Sequence, residues 1–184
     1  MPRRSVPRGL VLSVAFFGVF VGHAVTYVIL ANNPVVRSTM LRATGHGYLP
    51  VTVHAALALA VIGLAGLFLA GLGRGAAGSG LTRRVTTFQV LTFAAIEIAE
   101  RLAVRAPLHD LTHVLPVGTV VQIGVAVLVT IVIRAMLRAG ETAAEAVPAA
   151  QLAPLRALVP LIAVPSAGIT SHLLRAPRGR APPR

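Results

Sequence analysis

Four stretches of the chain are apolar for long enough to cross a bilayer. They cover about 9–31, 49–73, 85–106 and 114–137, and roughly 20 residues carry a helix across the hydrocarbon. The second is rich in Leu and Ala and carries Gly63, Gly66, Gly71 and Gly73; the fourth is rich in Val and Ile. β-Branched residues do not argue against helices here, because in lipid the backbone must satisfy its own hydrogen bonds. The joints are polar or conformationally special. Asn32-Asn33-Pro34 stops the first helix, Gly45-His46-Gly47-Tyr48-Leu49-Pro50 turns into the second, and Gly73 through Gly80 forms a loop. Pro107 ends the third helix, and Pro116 lies in the first turn of the fourth, where Pro is tolerated. The pattern predicts an all-α fold, a polytopic membrane four-helix bundle forming one domain at 9–140.

Arginine placement orients the bundle. All basic residues are Arg, and all but Arg37, Arg42, Arg101 and Arg105 fall on the side of the two termini and the middle loop. The positive-inside rule makes that side cytoplasmic, so the predicted topology is N-in/C-in, multi-pass, in the inner (plasma) membrane. Residues 1–8 then form a cytoplasmic basic tail. The apolar run after them is too long for a signal-peptide core and is read as a retained helix. Residues 141–184 form a cytoplasmic tail. Glu141–Ala150 extends the last helix, and 157–170, apolar but interrupted by Pro160 and Pro165, is read as an interfacial or re-entrant segment. Gly18 and Gly22, Ala56 and Ala60, and Gly66 and Ala70 are small-xxx-small pairs that allow close helix packing, within the chain or in a homodimer or larger membrane complex.

Composition narrows the function classes. The chain is 55% hydrophobic and 12% charged, with a net charge of +12 and a mean hydropathy of +0.81. These values describe a protein whose partner is the lipid bilayer. The basic excess sits at the ends of apolar runs and Trp is absent, so nucleic acid is not the partner. The absence of Cys removes disulfides, thiolate metal sites and iron–sulfur clusters. No phosphate-binding Gly loop or nucleophile elbow is present, which argues against an enzyme.

Ionisable residues inside a membrane are costly and mark function. His23 lies ~12 Å below the outer end of the first helix at 1.5 Å per residue, with Tyr27 one turn nearer the surface. His54 is one turn into the second helix, Glu97 and Glu100 are in the outer half of the third, and Gln122 is level with His23. His46 lies in the first outer loop, and His109, Asp110 and His113 lie in the second. Imidazole and carboxylate at one depth suit copper(II), zinc, iron or nickel. His109 and His113 also have the i, i+4 spacing that meets one metal on a helix. The candidate metal set is therefore His23, His54, Glu97, Glu100, His46, His109 and His113, with copper first and zinc close behind.

The same residues support plainer roles. Glu97 and Arg101 form an i, i+4 pair, and Glu100 is within reach of Arg105, Arg37 or Arg42. His23 bonds across helices to Glu97 or Gln122, Tyr27 and Tyr48 serve as interfacial anchors, and Gln89 packs with Thr86 or Ser13. Three functions follow from different classes: metal handling or metalloenzyme assembly on the outer face; electron transfer, with His23 and His54 as axial ligands of a haem b or with a quinone site; and a non-catalytic accessory or scaffold subunit.

The blocks Gly22-His23-Ala24-Val25-Thr26-Tyr27, Thr44-Gly45-His46-Gly47-Tyr48-Leu49-Pro50 and Phe93-Ala94-Ala95-Ile96-Glu97-Ile98-Ala99-Glu100-Arg101-Leu102 resemble those of small four-helix integral membrane proteins of high-GC actinobacteria, a group without an assigned activity. The resemblance spans roughly 9–138 and implies fold and location only.

Overall fold

A computed structural model describes residues 4–73 and 75–146. The tail beyond Ala146, including 157–170, lies outside them. Five α-helices dominate: α1 (Arg8–Leu30), α2 (Pro34–Ala43), α3 (Leu49–Leu72), α4 (Leu81–Val104) and α5 (Leu111–Ala146). A 3-10 turn, His46–Tyr48, leads into α3. Two residues before α1, β1 (Arg4–Ser5), pair in parallel with β2 (Gly75–Ala76) after α3, a minor departure from an all-α fold.

α1 and α5 pack against each other, and each also packs against α3 and α4. The core runs along this shared seam. Leu10, Val14, Ala15, Leu67, Val85, Ala126, Ile133 and Leu137 bury one end of it. Val19, Phe93 and Val114 continue it towards the other end. Backbones cross closely where side chains are absent. A Cβ on Gly71 would meet the Leu137 carbonyl, and one on Gly140 would meet the Phe68 carbonyl, so α3 and α5 touch through these two glycines.

α1, α3 and α5 are each long and apolar enough to cross a membrane. Their outward positions are apolar: Val28 and Ile29 on α1, Val61 and Ile62 on α3, Val120 and Leu128 on α5. That inversion of the usual surface is the signature of a protein solvated by lipid. α4, expected as a span at 85–106, has the length for one at 24 residues. Its Arg83, Arg84, Glu97, Glu100 and Arg101 set it apart from the three apolar helices.

Several boundaries move for local reasons. Asn32-Asn33-Pro34 ends α1 and also begins α2: the Asn33 side chain accepts from Val35 N at 2.9 Å and Val36 N at 3.3 Å, with Pro34 at the first helical position. The connection between α1 and α3 therefore contains a ten-residue helix. α5 starts at Leu111, so Pro116 lies inside the helix and not in its first turn. At its other end α5 runs on through Glu141 to Ala146, and the rest of the 141–150 extension lies outside the described residues.

Candidate metal centre

Three chain segments meet at the end of the bundle opposite the start of α1 and the far end of α5. α1 contributes His23 and Tyr27, four residues apart and so on one face, with rings stacked at 5.4 Å. α4 contributes Glu97, Glu100 and Arg101. The third segment is the turn after α2, where Gly45 takes a φ of +92° that only a residue without Cβ adopts at ease. That turn folds back over the helices and delivers His46. The His46 ring lies 4.6 Å from His23 and 4.7 Å from Tyr27, centroid to centroid. Phe93 closes the inner side, edge-on to His23 at 5.3 Å.

His23, His46 and Glu97 are buried and Glu100 nearly so; one donor atom from each lies within 4.8 Å of the others. His46 Nε2 is 3.2 Å from Glu97 Oε2 and 2.6 Å from Glu100 Oε2. His23 Nε2 is 3.6 Å from Glu97 Oε2 and makes no hydrogen bond. Despite the 2.6 Å approach, neither Glu100 oxygen makes a hydrogen bond of ordinary geometry. Buried polar atoms without partners are rare and call for an explanation.

The surroundings orient these donors. Glu97 Oε1 accepts from Tyr27 Oη at 2.8 Å and from Arg101 Nε at 3.1 Å, which leaves Oε2 facing the two imidazoles. Thr44 Oγ1 donates its single proton to the Met40 carbonyl at 2.8 Å. It must therefore accept from His46 Nδ1–H, 2.9 Å away. This fixes the tautomer and aims the Nε2 lone pair, or the proton on it, at the carboxylates. Burial by itself lowers the His46 pKa, but the contacts to Glu100 and Glu97 outweigh it and raise the value to about 9. With His46 protonated, two carboxylates face an imidazolium and the Arg101 guanidinium, and the buried charges balance. Arg101 is fully buried and also donates to the Pro107 carbonyl at 3.2 Å, tying the loop after α4 to the cluster.

Of the seven residues singled out from sequence, the structure brings together His23, His46, Glu97 and Glu100. His54 is exposed on α3, so it is not presented with His23 as a facing pair. His109 is exposed and lies 2.9 Å from Asp110, and His113 is exposed in the first turn of α5. The i, i+4 spacing of these two does not bring them into the cluster, because α5 begins only at Leu111. The Glu97–Arg101 pair forms as its spacing predicted. Glu100 lies against His46 instead of an arginine, while Arg37 and Arg42 bond to the carbonyls of Ala31 and Ser38. Tyr27, read as an interfacial anchor, is instead fully buried. Thr44 was not singled out; its position two residues before His46 is the one local signal for its role.

Gln122 of α5 and Gln89 of α4 reach α1 further along the bundle, away from the cluster. Their amide nitrogens donate to the carbonyls of Val19 and Ala15, each at 3.0 Å. Gly22 and Gly18 make room: a Cβ on Gly22 would meet the Gln122 amide, and one on Gly18 the Gln89 amide. Gln89 thus bonds to the α1 backbone, and its Oε1 has no hydrogen-bond partner among the described residues. The Gly18/Gly22 pair serves packing within the chain.

Comparison of the chain with protein-family models, curated proteins and solved structures finds no match. The functional reading therefore rests on the cluster itself.

Proposed function

We propose that this is a membrane metal-handling protein whose His23, His46, Glu97 and Glu100 hold a divalent zinc or copper ion near the outer surface, for uptake, delivery or metalloenzyme assembly. The observation that carries the proposal is the convergence of four donor atoms within 4.8 Å from three chain segments. Support comes from the shell behind them. Thr44 orients His46, and Tyr27 and Arg101 orient Glu97, which is how metal ligands are commonly held. Two imidazoles and two carboxylates without sulfur suit borderline divalent ions. Metal–ligand bonds of roughly 2.0–2.2 Å place tetrahedral donors roughly 3.4 Å apart. The 3.2 and 3.6 Å separations about Glu97 Oε2 are close to that. The 2.6 Å contact between His46 and Glu100 is shorter than that, and it has to widen when a metal enters between the two donors.

In this proposal α4 is the fourth span. It faces Leu91, Ile98 and Leu102 outward and turns Gln89, Glu97 and Arg101 inward, as a polar-cored membrane helix does. Both termini are then cytoplasmic. The bundle takes its metal from the extracytoplasmic side, where Glu100 is the ligand that reaches the surface.

Metal analysis of the purified chain after loading with zinc or copper(II) tests the reading. One equivalent is expected, lost in His46→Ala and Glu100→Gln and unaffected in His54→Ala, His109→Ala and His113→Ala. Sub-stoichiometric metal that ignores His23→Ala and His46→Ala alike would leave the cluster a purely structural charge network. A reporter active only outside the cytoplasm, fused at residue 78, should be silent; a strong signal there overturns the orientation.

A further inference from the structure

At the opposite end of the bundle, α1, α4 and α5 part around a crevice of about 680 Å³. That is within the roughly 300–1,000 Å³ typical of small-ligand sites. Its walls are apolar, with Val11, Leu12, Val85, Phe88 and Ile133 among them. Leu12 is 45% exposed and carries the wall out onto the lipid-facing surface of α1. The mouth has a different chemistry. Arg8, the first residue of α1, and Arg84, in the first turn of α4, both line it, and no acid does. Among the described residues neither guanidinium is in an ion pair. Glu141 and Glu145 on α5 lie beyond the crevice lining.

The backbone adds to the same sign. α1 starts after Pro7 and α4 after Gly80, neither with a capping side chain nor an acid in its first turn. Two helix ends of positive polarity therefore flank the two arginines.

We infer that this crevice is a binding site for an anionic phospholipid, with the phosphate held between Arg8 and Arg84 and an acyl chain lying along Val85 and Phe88. The match is one of charge and of polarity. Guanidinium forks suit phosphate oxygens, and basic pockets between membrane helices are places where anionic headgroups settle. A zwitterionic lipid brings the same phosphate but sets its own cation beside the two arginines, leaving more positive charge uncompensated, and a free anion leaves the apolar walls unfilled. The inference is independent of the metal reading and requires only that the chain sits in lipid.

The test uses the full chain in mild detergent, titrated with phosphatidylglycerol or phosphatidylcholine, with retained lipid counted by native mass spectrometry. One phosphatidylglycerol is expected to be held in preference to phosphatidylcholine. Arg8→Gln and Arg84→Gln should each weaken it about fivefold, from roughly one kilocalorie per interfacial arginine. Arg83→Gln, one residue from Arg84 but off the crevice, should leave it unchanged, and Ala77→Phe, which fills the crevice while keeping both charges, should weaken it. Equal retention of the two lipids overturns the inference. So does an equal loss in Arg83→Gln, which marks diffuse attraction, or full competition by inorganic phosphate, which marks a headgroup-only anion site. Binding that emerges only after removal of residues 147–184 overturns it too, by making the chain's own tail the occupant.

Discussion

Raising the pH through the His46 transition should weaken the metal-free protein and strengthen its grip on metal. His46 has a folded-state pKa of about 9 against an ordinary value of 6.5, because Glu100 and Glu97 outweigh its burial. A group whose pKa is raised by folding stabilises the folded state in its protonated form. That contribution is fully present below 6.5 and is lost as pH rises through about 9. The gap is worth about 3 kcal/mol at most. A metal at Nε2 replaces the same proton, so across that window each pH unit raises apparent metal affinity about tenfold.

The composition makes this measurable. With no Lys and no Cys, the side chains that ordinarily titrate between about pH 8 and 10.5 are nearly all absent. Thermal midpoints in detergent and chelator-competition titrations, both taken at intervals from about pH 6.5 to 9.5, read the two effects. Loss of net positive charge would on general grounds stabilise so basic a chain, so a falling midpoint has the diagnostic sign. A midpoint that rises or stays level, or a metal affinity flat with pH, refutes the reasoning. His46→Gln should abolish the pH slope of the thermal midpoint and metal binding with it.

Two further outcomes follow from the shell around the donors. Thr44→Val keeps the side-chain shape but removes the acceptor of His46 Nδ1–H, and metal affinity should fall about 10- to 100-fold with stoichiometry unchanged; competition titration checks it. Arg101→Met removes the cation facing buried Glu97 and the tie to Pro107, and should destabilise the protein by about 3 kcal/mol or more, read as a lowered thermal midpoint or lost expression.

Much of the molecule is legible in the amino-acid order because lipid imposes few choices. A chain that must satisfy every backbone group inside hydrocarbon forms helices wherever about 20 apolar residues run together. The three apolar helices α1, α3 and α5 therefore follow from hydropathy alone. Depth is legible as well, since the rise per residue is constant, and it placed His23 and Glu97 at one level. The Glu97–Arg101 pair needed only its i, i+4 spacing.

What the tertiary structure decided is which polar side chains share that level and also face one another. Rotation of each helix about its axis is set by packing between helices, at Gly22 against Gln122 and at Gly71 against Gly140, and no single-helix pattern encodes it. Packing turned His23 and Glu97 inward and left His54 exposed, although all three are polar residues in helices of similar depth. His46 gives the sharpest case. In sequence it is a loop histidine, ordinarily solvated. The Asn33-capped helix α2 and the positive φ of Gly45 carry it back over α1 and α4, where Thr44, Glu97 and Glu100 give it partners. Residues near one another in the chain fixed the helices; contacts between residues 19 to 70 positions apart brought the segments of the site together.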